Sequence, residues 1–149
     1  MQTFLPYSDF ELCARVLDVK RLNKQIVEGK QIYDTIQHGS RWINHPAVKM
    51  WIDYEALLIE YICSMYNEWK IRYKIGLRKG KLKHKSGEEA KLIISFYSGL
   101  GIKFFSIPNW LGDERLHSSH RSALLFKNPE WYSKFGWKEE SKLNYFWPC

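Results

Sequence analysis

The sequence predicts an all-α fold in a single compact domain. The chain has 149 residues, which suits one domain with a sizeable core, and its 45% hydrophobic and 16% aromatic content excludes a disordered chain. Apolar side chains recur at helical spacing in several segments, and capping residues precede those segments. We therefore expect residues 1–149 to form one domain with a central aromatic-rich helix and an inserted basic segment.

Two helices are predicted in the N-terminal part of the chain. A capping-box pattern at Ser8-Asp9-Phe10-Glu11 precedes a short first helix. Its apolar positions are Phe10, Cys13, Ala14 and Leu17. Asp18 is placed to cap a second helix, and Gly39 suits its C-terminal end. The apolar stripe of that second helix is Leu22, Ile26, Gly29, Tyr33 and Ile36.

The clearest helical period in the chain follows Pro46, which suits the first turn of a helix. The apolar positions of this predicted third helix are Trp51, Tyr54, Leu58, Tyr61, Ile62, Met65 and Trp69. We expect it to be the central helix of the core. The sequence also predicts a fourth helix over residues 88–98. Asp113 is placed to cap a last long helix to about Phe126, and Pro129 begins an aromatic turn before an irregular tail.

The net charge of +7 is concentrated in one segment. Between Lys70 and Lys85 the chain has eight basic residues and no acidic one, whereas the remainder is close to neutral. Such a glycine-punctuated segment is typical of an arm that contacts phosphates, or of a solvated loop that keeps the protein in solution. The unmixed sign favours contact with a polyanion.

Four polar residues of the predicted second helix share one stripe. Asp18, Arg21, Gln25 and Glu28 fall at i, i+3, i+7 and i+10, beside the apolar positions. Partial burial would raise a carboxylate pKa there, and Arg21 would hold the carboxylate ionised and oriented. The alternative is an exposed, salt-bridged helix face.

Other kinds of chemistry lack their motifs. His117 and His120 lie one helical turn apart, but there is no HExxH pattern and His45 is isolated, so we predict no metal site. We instead expect a core or cap role for one histidine and a phosphate contact or proton relay for the other. No glycine-rich phosphate loop or GxSxG is present, and we predict no cofactor.

The cysteines and the hydrophobic runs limit the cellular context. Three widely spaced cysteines without CxxC spacing argue against a disulfide framework, and we expect Cys13 and Cys63 to be buried small hydrophobes. No apolar run approaches the roughly 18 residues of a membrane span, and the first residues lack signal-peptide features. We expect a cytoplasmic protein that does not bind membranes.

The segment Trp131–Trp137 has two interpretations. Its aromatic rings, with Lys127, Lys134 and Lys138 interleaved or adjacent, could stack on unpaired bases and hold phosphates. They could equally form a C-terminal plug over the core, which is the commoner role of tryptophan.

Motifs at both ends of the chain resemble one family. Gly112-Asp113, His117 and the run Asn128-Pro129-Glu130-Trp131-Tyr132-Ser133-Lys134-Phe135-Gly136 resemble the C-terminal part of phage pyrimidine-dimer DNA glycosylases of the endonuclease V type. The start Met-Gln-Thr-Phe-Leu-Pro-Tyr, followed by Leu-Asp-x-x-Arg-Leu-x-Lys-Gln-x-x-Glu, is more similar to a microbial and phage branch of that family. The latter residues are Leu17, Asp18, Arg21, Leu22, Lys24, Gln25 and Glu28. The similarity covers nearly the whole chain except about residues 72–100, where the basic segment looks like an insertion.

The resemblance implies an all-helical domain that attacks a damaged nucleotide in DNA. In the family the α-amine of the chain displaces the base, forms a Schiff base with the sugar, and cuts the strand by β-elimination with help from a carboxylate of an early helix. An α-amine suits this role because part of it is neutral near pH 7. Extrusion of the nucleotide costs least where base pairing is already damaged.

Two positions depart from the family pattern. The characterised enzymes lose their methionine, whereas bulky Gln2 should hinder that processing, so the amine would belong to Met1. The catalytic glutamate directly follows an arginine in the family, but here the sequence is Lys20-Arg21-Leu22. Either Asp18 or Glu28 substitutes for it, or the lyase chemistry is absent. Of the two carboxylates we favour Glu28, because its side chain is longer.

The leading hypothesis is a DNA base-excision glycosylase for pyrimidine-dimer or otherwise modified bases in double-stranded DNA, with AP-lyase activity left open. The predicted catalytic residues are Met1, Glu28, Asp18 and Arg21. The predicted DNA-contacting residues are Lys24, Gln25, His45, Arg78, Lys79, Lys81, Lys83, Lys85, His117, His120, Arg121, Trp131, Tyr132 and Lys134. The alternatives are a non-catalytic DNA-binding protein and a different nucleic-acid or nucleotide enzyme.

Overall fold

The protein was analysed as a computed structural model, which describes residues 1–78 and 106–149. These residues form helices and irregular segments, with no strand among them. The helices are α1 (Phe10–Val16), α2 (Val19–His38), α3 (Pro46–Lys49), α4 (Glu55–Arg78), α5 (Glu114–Lys127), α6 (Pro129–Tyr132) and a 3-10 turn (Ser133–Phe135). The predicted all-α single domain is thereby confirmed for the described residues.

The first two helices begin at aspartates. The Asp9 carboxylate, not the Ser8 hydroxyl that the capping-box pattern suggested, accepts the Leu12 N–H at the start of α1. Asp18 caps α2 by accepting the Arg21 N–H, and α2 ends at Gly39 with a φ of 71°. A positive φ strains an L side chain, so glycine suits this helix end.

The predicted third helix is in fact two helices. The short α3 ends at Lys49, and a turn through Trp51 leads to Asp53, whose φ of 70° interrupts any helix before α4 begins at Glu55. A left-handed residue turns the chain sharply, which apolar spacing alone does not reveal. Trp51 is nevertheless fully buried in the core, as its place in the apolar period predicted.

Helix α4 is the central helix of the described fold, because α1 and α2 both pack on it. Its inward side chains, such as Leu58, Tyr61 and Met65, are completely buried. Gly29 of α2 brings the two backbones together, since a Cβ built there would lie 2.6 Å from Ile62 Cγ1. The α2–α4 contact therefore depends on the missing side chain at residue 29.

Arg72, part of the predicted basic segment, ties α4 to the end of α1. Its guanidinium donates to the carbonyls of Leu17 at 2.7 Å, Ala14 at 3.1 Å and Arg15 at 2.9 Å. It also pairs with Glu68 at 2.8 Å. Carbonyls in the last turn of a helix have no partner within the helix, so Arg72 satisfies the end of α1.

Some predicted features fall on residues that receive no structural account. The predicted fourth helix over residues 88–98 lies outside the described residues, as do Lys79, Lys81, Lys83 and Lys85. Arg78 is the last residue of α4. The predicted insertion at about 72–100 begins within α4 and stays a prediction. No helix among residues 1–78 and 106–149 has the length and apolar character needed to cross a membrane.

Candidate active site

The first residues of the chain run through the protein interior. Residues 2–6 are all buried, although none of them belongs to a helix. A buried extended segment must find partners for its backbone outside regular structure. Side chains of α2, α4 and α5 supply those partners.

Gln25 and Tyr61 hold the middle of this N-terminal segment. Gln25 Oε1 accepts the Phe4 N–H at 2.7 Å, and the Tyr61 hydroxyl lies 2.7 Å from the same oxygen and 3.0 Å from the Phe4 carbonyl. Trp51 Nε1 donates to Thr3 Oγ1 at 3.0 Å. Gln25, predicted to contact DNA, is thus fully buried and engaged within the protein.

The two histidines of α5 bracket Leu5. His120 Nδ1 accepts the Leu5 N–H at 2.8 Å, and His117 Nδ1 lies 2.7 Å from the Leu5 carbonyl. His117 Nε2 accepts the Gly112 N–H at 3.0 Å, so the His117 proton sits on Nδ1. Arg121 continues the series by donating to the Pro6 carbonyl at 2.8 Å. All three side chains are buried or nearly so, which does not support their predicted contact with DNA.

These contacts determine the position of the Met1 amine. The Met1 nitrogen lies 3.8 Å from Glu28 Oε1 on α2, and the side chains of the two residues are only 7% and 9% exposed. Met1 as a whole is half-buried, so its main chain is more accessible than its side chain. Lys24 Nζ lies 3.4 Å from the same Glu28 oxygen, and Gln25 Nε2 lies 3.4 Å from the other.

The Met1 amine and Glu28 line a pocket of about 350 Å³. The residues that line it are Met1, Gln2, Phe4, Lys20, Arg21, Lys24, Glu28, Lys127 and Tyr145. Among the described residues that line it, Glu28 is the only acidic one, and four are lysine or arginine. The pocket can therefore accept a phosphate-bearing ligand whose reacting atom approaches a primary amine beside a carboxylate.

Asp18 has a different environment from Glu28. One carboxylate oxygen caps α2, and the other accepts from Arg21 Nη1 at 2.7 Å and from the Tyr132 hydroxyl at 2.9 Å. Burial alone would raise the pKa of Asp18, but the hydrogen bonds from Arg21 and Tyr132 hold that pKa below its usual value. Both oxygens are therefore engaged, one in capping α2 and the other in joining α2 to α6, and Asp18 does not line the pocket.

The aromatic turn packs on the protein. Tyr132 is fully buried, Trp131 Nε1 donates to the Val16 carbonyl at 2.8 Å, and Lys134 Nζ lies over the Trp131 ring at 3.3 Å from its centroid. Trp137 stacks on Tyr132 and donates to the Tyr7 hydroxyl at 2.7 Å. These contacts favour the plug over the base-stacking interpretation.

His45 lies at the edge of the site region. Its Nδ1 caps α3 by accepting the Ala47 N–H at 3.1 Å. Burial is the main cause that lowers the pKa of His45; the Met1 ammonium lowers it further, and Glu28 acts in the opposite direction.

Five residues that line the pocket were not among the predicted site residues: Gln2, Phe4, Lys20, Lys127 and Tyr145. Lys20 is one turn from Lys24 on α2, and the helical period of the early stripe could have suggested it. Lys127 ends α5, where a basic residue is common whatever its role. Tyr145 belongs to the irregular tail, whose path over the pocket has no periodic signal.

The described residues contain no group of three or more His, Cys, Asp or Glu side chains that could hold a metal ion. Cys13 is buried with its thiol 3.2 Å from the Tyr7 carbonyl, and burial raises its pKa, as suits a small core residue.

Comparison with known proteins gives one family. The family described as pyrimidine dimer DNA glycosylase matches residues 1–79, which is more than half of the 149 residues. The matched region contains the N-terminal segment, Glu28 and α2. No curated protein and no solved structure matches the chain.

Proposed function

The chain belongs to the pyrimidine dimer DNA glycosylase family, and from this membership we propose that it excises pyrimidine-dimer or related bases from double-stranded DNA with the Met1 α-amine as nucleophile. The observation that carries the proposal is the 3.8 Å approach of the Met1 nitrogen to Glu28 inside a pocket lined by cations. We further propose that the protein acts in the cytoplasm or nucleoid, where its DNA substrate lies.

The reaction begins when the neutral amine attacks C1′ of the damaged nucleotide. The new C–N bond forms as the glycosidic bond breaks, and the departing base takes the bonding electrons. Glu28 is the group placed to accept the proton that the amine loses and to stabilise the positive charge on nitrogen. The nitrogen lone pair then forms the C=N bond as the C1′–O4′ bond breaks, and O4′ takes the proton held by Glu28. The product is a Schiff base between Met1 and C1′, with Glu28 ionised again.

Strand cleavage would follow as a β-elimination. A base removes a proton from C2′, the electrons form a double bond, and the C3′–O bond breaks with the phosphate as leaving group. Within the part of the chain that the structure describes, Glu28 is the only acidic residue that lines the pocket, so we assign this proton transfer to it as well. Arg21 and Lys24 would hold the flanking phosphates, because both cationic residues line the same pocket.

The buried contacts of residues 2–6 support this assignment. A nucleophile is effective when it is held within reach of the reacting atom before the substrate arrives. The engagement of Gln25, His117, His120 and Arg121 with the backbone of residues 4–6 would keep the amine beside Glu28. We therefore regard these four as positioning residues and propose no direct DNA contact for them.

Borohydride trapping tests the proposal. The purified protein, with Met1 confirmed by mass, would be mixed with ultraviolet-irradiated and untreated duplexes in the presence of borohydride, which reduces a Schiff base to a stable amine. We expect an adduct only with irradiated DNA, and its loss when the α-amine is blocked. No adduct on either duplex, together with salt-sensitive binding, would indicate a DNA-binding protein without catalysis.

Two carboxylate variants make a matched pair. Glu28→Gln should slow adduct formation about 10²- to 10⁴-fold, the usual contribution of a general acid or base. Asp18→Asn removes the same charge from the same helix and should leave the adduct rate within a fewfold, although it lowers stability. Full activity of Glu28→Gln would remove Glu28 from the mechanism.

A further inference from the structure

A continuous series of aromatic rings leads from the pocket to the protein surface. Tyr145 lines the pocket, and its ring centroid lies 5.7 Å from that of Trp147. The Trp147 centroid lies 6.0 Å from that of His45, which is 5.9 Å from that of Trp42. We call these residues, Tyr145, Trp147, His45 and Trp42, the aromatic path.

The outer end of the aromatic path is open to solvent. Trp42 is 44% exposed, whereas the core tryptophans Trp51 and Trp110 are buried. The Arg41 guanidinium carbon lies 5.2 Å from the Trp42 ring centroid. An exposed indole beside a guanidinium presents a flat apolar face next to a positive charge.

We propose that Trp42 and the aromatic path stack on an unpaired nucleobase of the DNA whose damaged nucleotide occupies the pocket. This inference rests on the proposed function in taking DNA as the ligand of the pocket. Extrusion of a damaged nucleotide leaves bases that have lost their pairing or stacking partners. Aromatic side chains bind such bases through their faces, and adjacent cations hold the phosphates.

Two observations favour a nucleobase over an apolar protein partner. The path is continuous with the pocket through Tyr145, and the pocket is lined by Lys20, Arg21, Lys24 and Lys127. The surface end of the path carries a further cation, Arg41. An apolar segment of another protein would gain nothing from this positive charge, whereas a nucleotide uses both the ring and the charge.

Binding to a duplex that cannot be cleaved tests the inference without requiring catalysis. The duplex carries a tetrahydrofuran abasic analogue opposite 2-aminopurine, whose emission falls when it stacks on an aromatic ring. We expect Trp42→Ala to weaken binding about tenfold, in the range for loss of one stacked base, and to raise the emission of the bound probe. Trp42→Phe, which keeps a ring, should bind within about threefold of the unaltered protein.

A fully paired duplex is the control ligand, and Trp42→Ala should bind it as the unaltered protein does. Equal weakening on both duplexes, or none on either, would overturn the inference. Loss of quenching in Trp131→Ala but not in Trp42→Ala would place the stacked base at the aromatic turn and would equally overturn it. If the unaltered protein forms the borohydride adduct while Trp42→Ala binds normally, only this inference fails. If it forms no adduct and does not prefer the duplex with the abasic analogue, the proposed function fails.

Discussion

His120 has one nitrogen in use and one enclosed without a partner. Its Nδ1 accepts the Leu5 N–H, so its proton sits on Nε2, which has no hydrogen-bond partner among the described residues. The ring packs edge-on against Phe4 and Tyr145. Burial, with a smaller effect of the neighbouring His117, lowers the pKa of His120 to about 3.

This low pKa predicts that acid weakens the fold well before the carboxylates titrate. An unfolded histidine takes up a proton near pH 6.5, whereas folded His120 does so only near pH 3, so its contribution is complete above pH 6.5 and is lost as pH falls toward 3. Between pH 6.5 and about 5 we expect the free energy of unfolding to fall by about 2 kcal/mol from this residue. Urea denaturation at several pH values measures it.

His120→Asn is the matched variant, since its side-chain oxygen can still accept the Leu5 N–H but does not titrate. We expect it to be less stable at pH 7, because the ring contacts are lost, but to lose little more between pH 6.5 and 5. An unchanged pH dependence in this variant would assign the acid sensitivity to another group.

At the scale of the elements, the contact of α2 with α4 depends on Gly29. Alanine there would normally favour a helix by about 1 kcal/mol, but its Cβ would lie 2.6 Å from Ile62 Cγ1. The overlap must be relieved by moving a fully buried side chain or the helix, which typically costs about 1–3 kcal/mol. We expect Gly29→Ala to destabilise the protein, as measured by thermal and urea unfolding.

A double-mutant cycle with Ile62→Ala tests the cause. If the Cβ added at position 29 clashes with Ile62, the double variant should be more stable than the sum of the two single effects implies. Strict additivity, or a stabilising Gly29→Ala, would contradict the close approach of the helices.

Local sequence signals predicted an element correctly where the same property of a residue also determines the structure. Asp18 and Gly39 mark both ends of α2 because capping and positive φ are properties of the residues themselves. The break between α3 and α4 was not predictable, since Asp53 adopts a left-handed φ and no glycine at that position marks the turn in the sequence. Apolar spacing continued across the turn because Trp51 remains in the core.

The candidate site was predictable only in part, because helical spacing reveals residues on one helix face but not the course of an extended segment. Helical spacing placed Arg21 and Glu28 on one face, and a family resemblance suggested the amine of Met1. The burial of Gln25, His117 and His120 against residues 4 and 5 depends on where the extended N-terminal segment runs through the fold. That segment has no periodic pattern, so no signal in the sequence indicated that these polar side chains would hold it.

At the scale of the whole molecule, positive charge is concentrated in a pocket that the structure identifies and in a segment that the sequence identifies. One is the pocket, with Lys20, Arg21, Lys24 and Lys127. The other is the basic segment, of which Arg72 is used internally to satisfy the end of α1. The lysines beyond α4 are therefore the part of this segment to test for contact with phosphates, and the test does not depend on the chemistry in the pocket.

Lys81→Gln/Lys83→Gln, both in the basic segment, should reduce the salt dependence of DNA binding. Each lost phosphate contact lowers the slope of log K against log salt by about 0.9, so the pair should lower it by about 2. The matched control is Lys138→Gln/Lys142→Gln, which removes two exposed lysines of the C-terminal tail and the same net charge. Binding of an undamaged duplex between about 50 and 200 mM salt measures both slopes. A control pair that lowers the slope equally would mean that binding responds to the net charge of the protein, because only direct neutralisation of phosphates by the basic segment makes the two pairs differ.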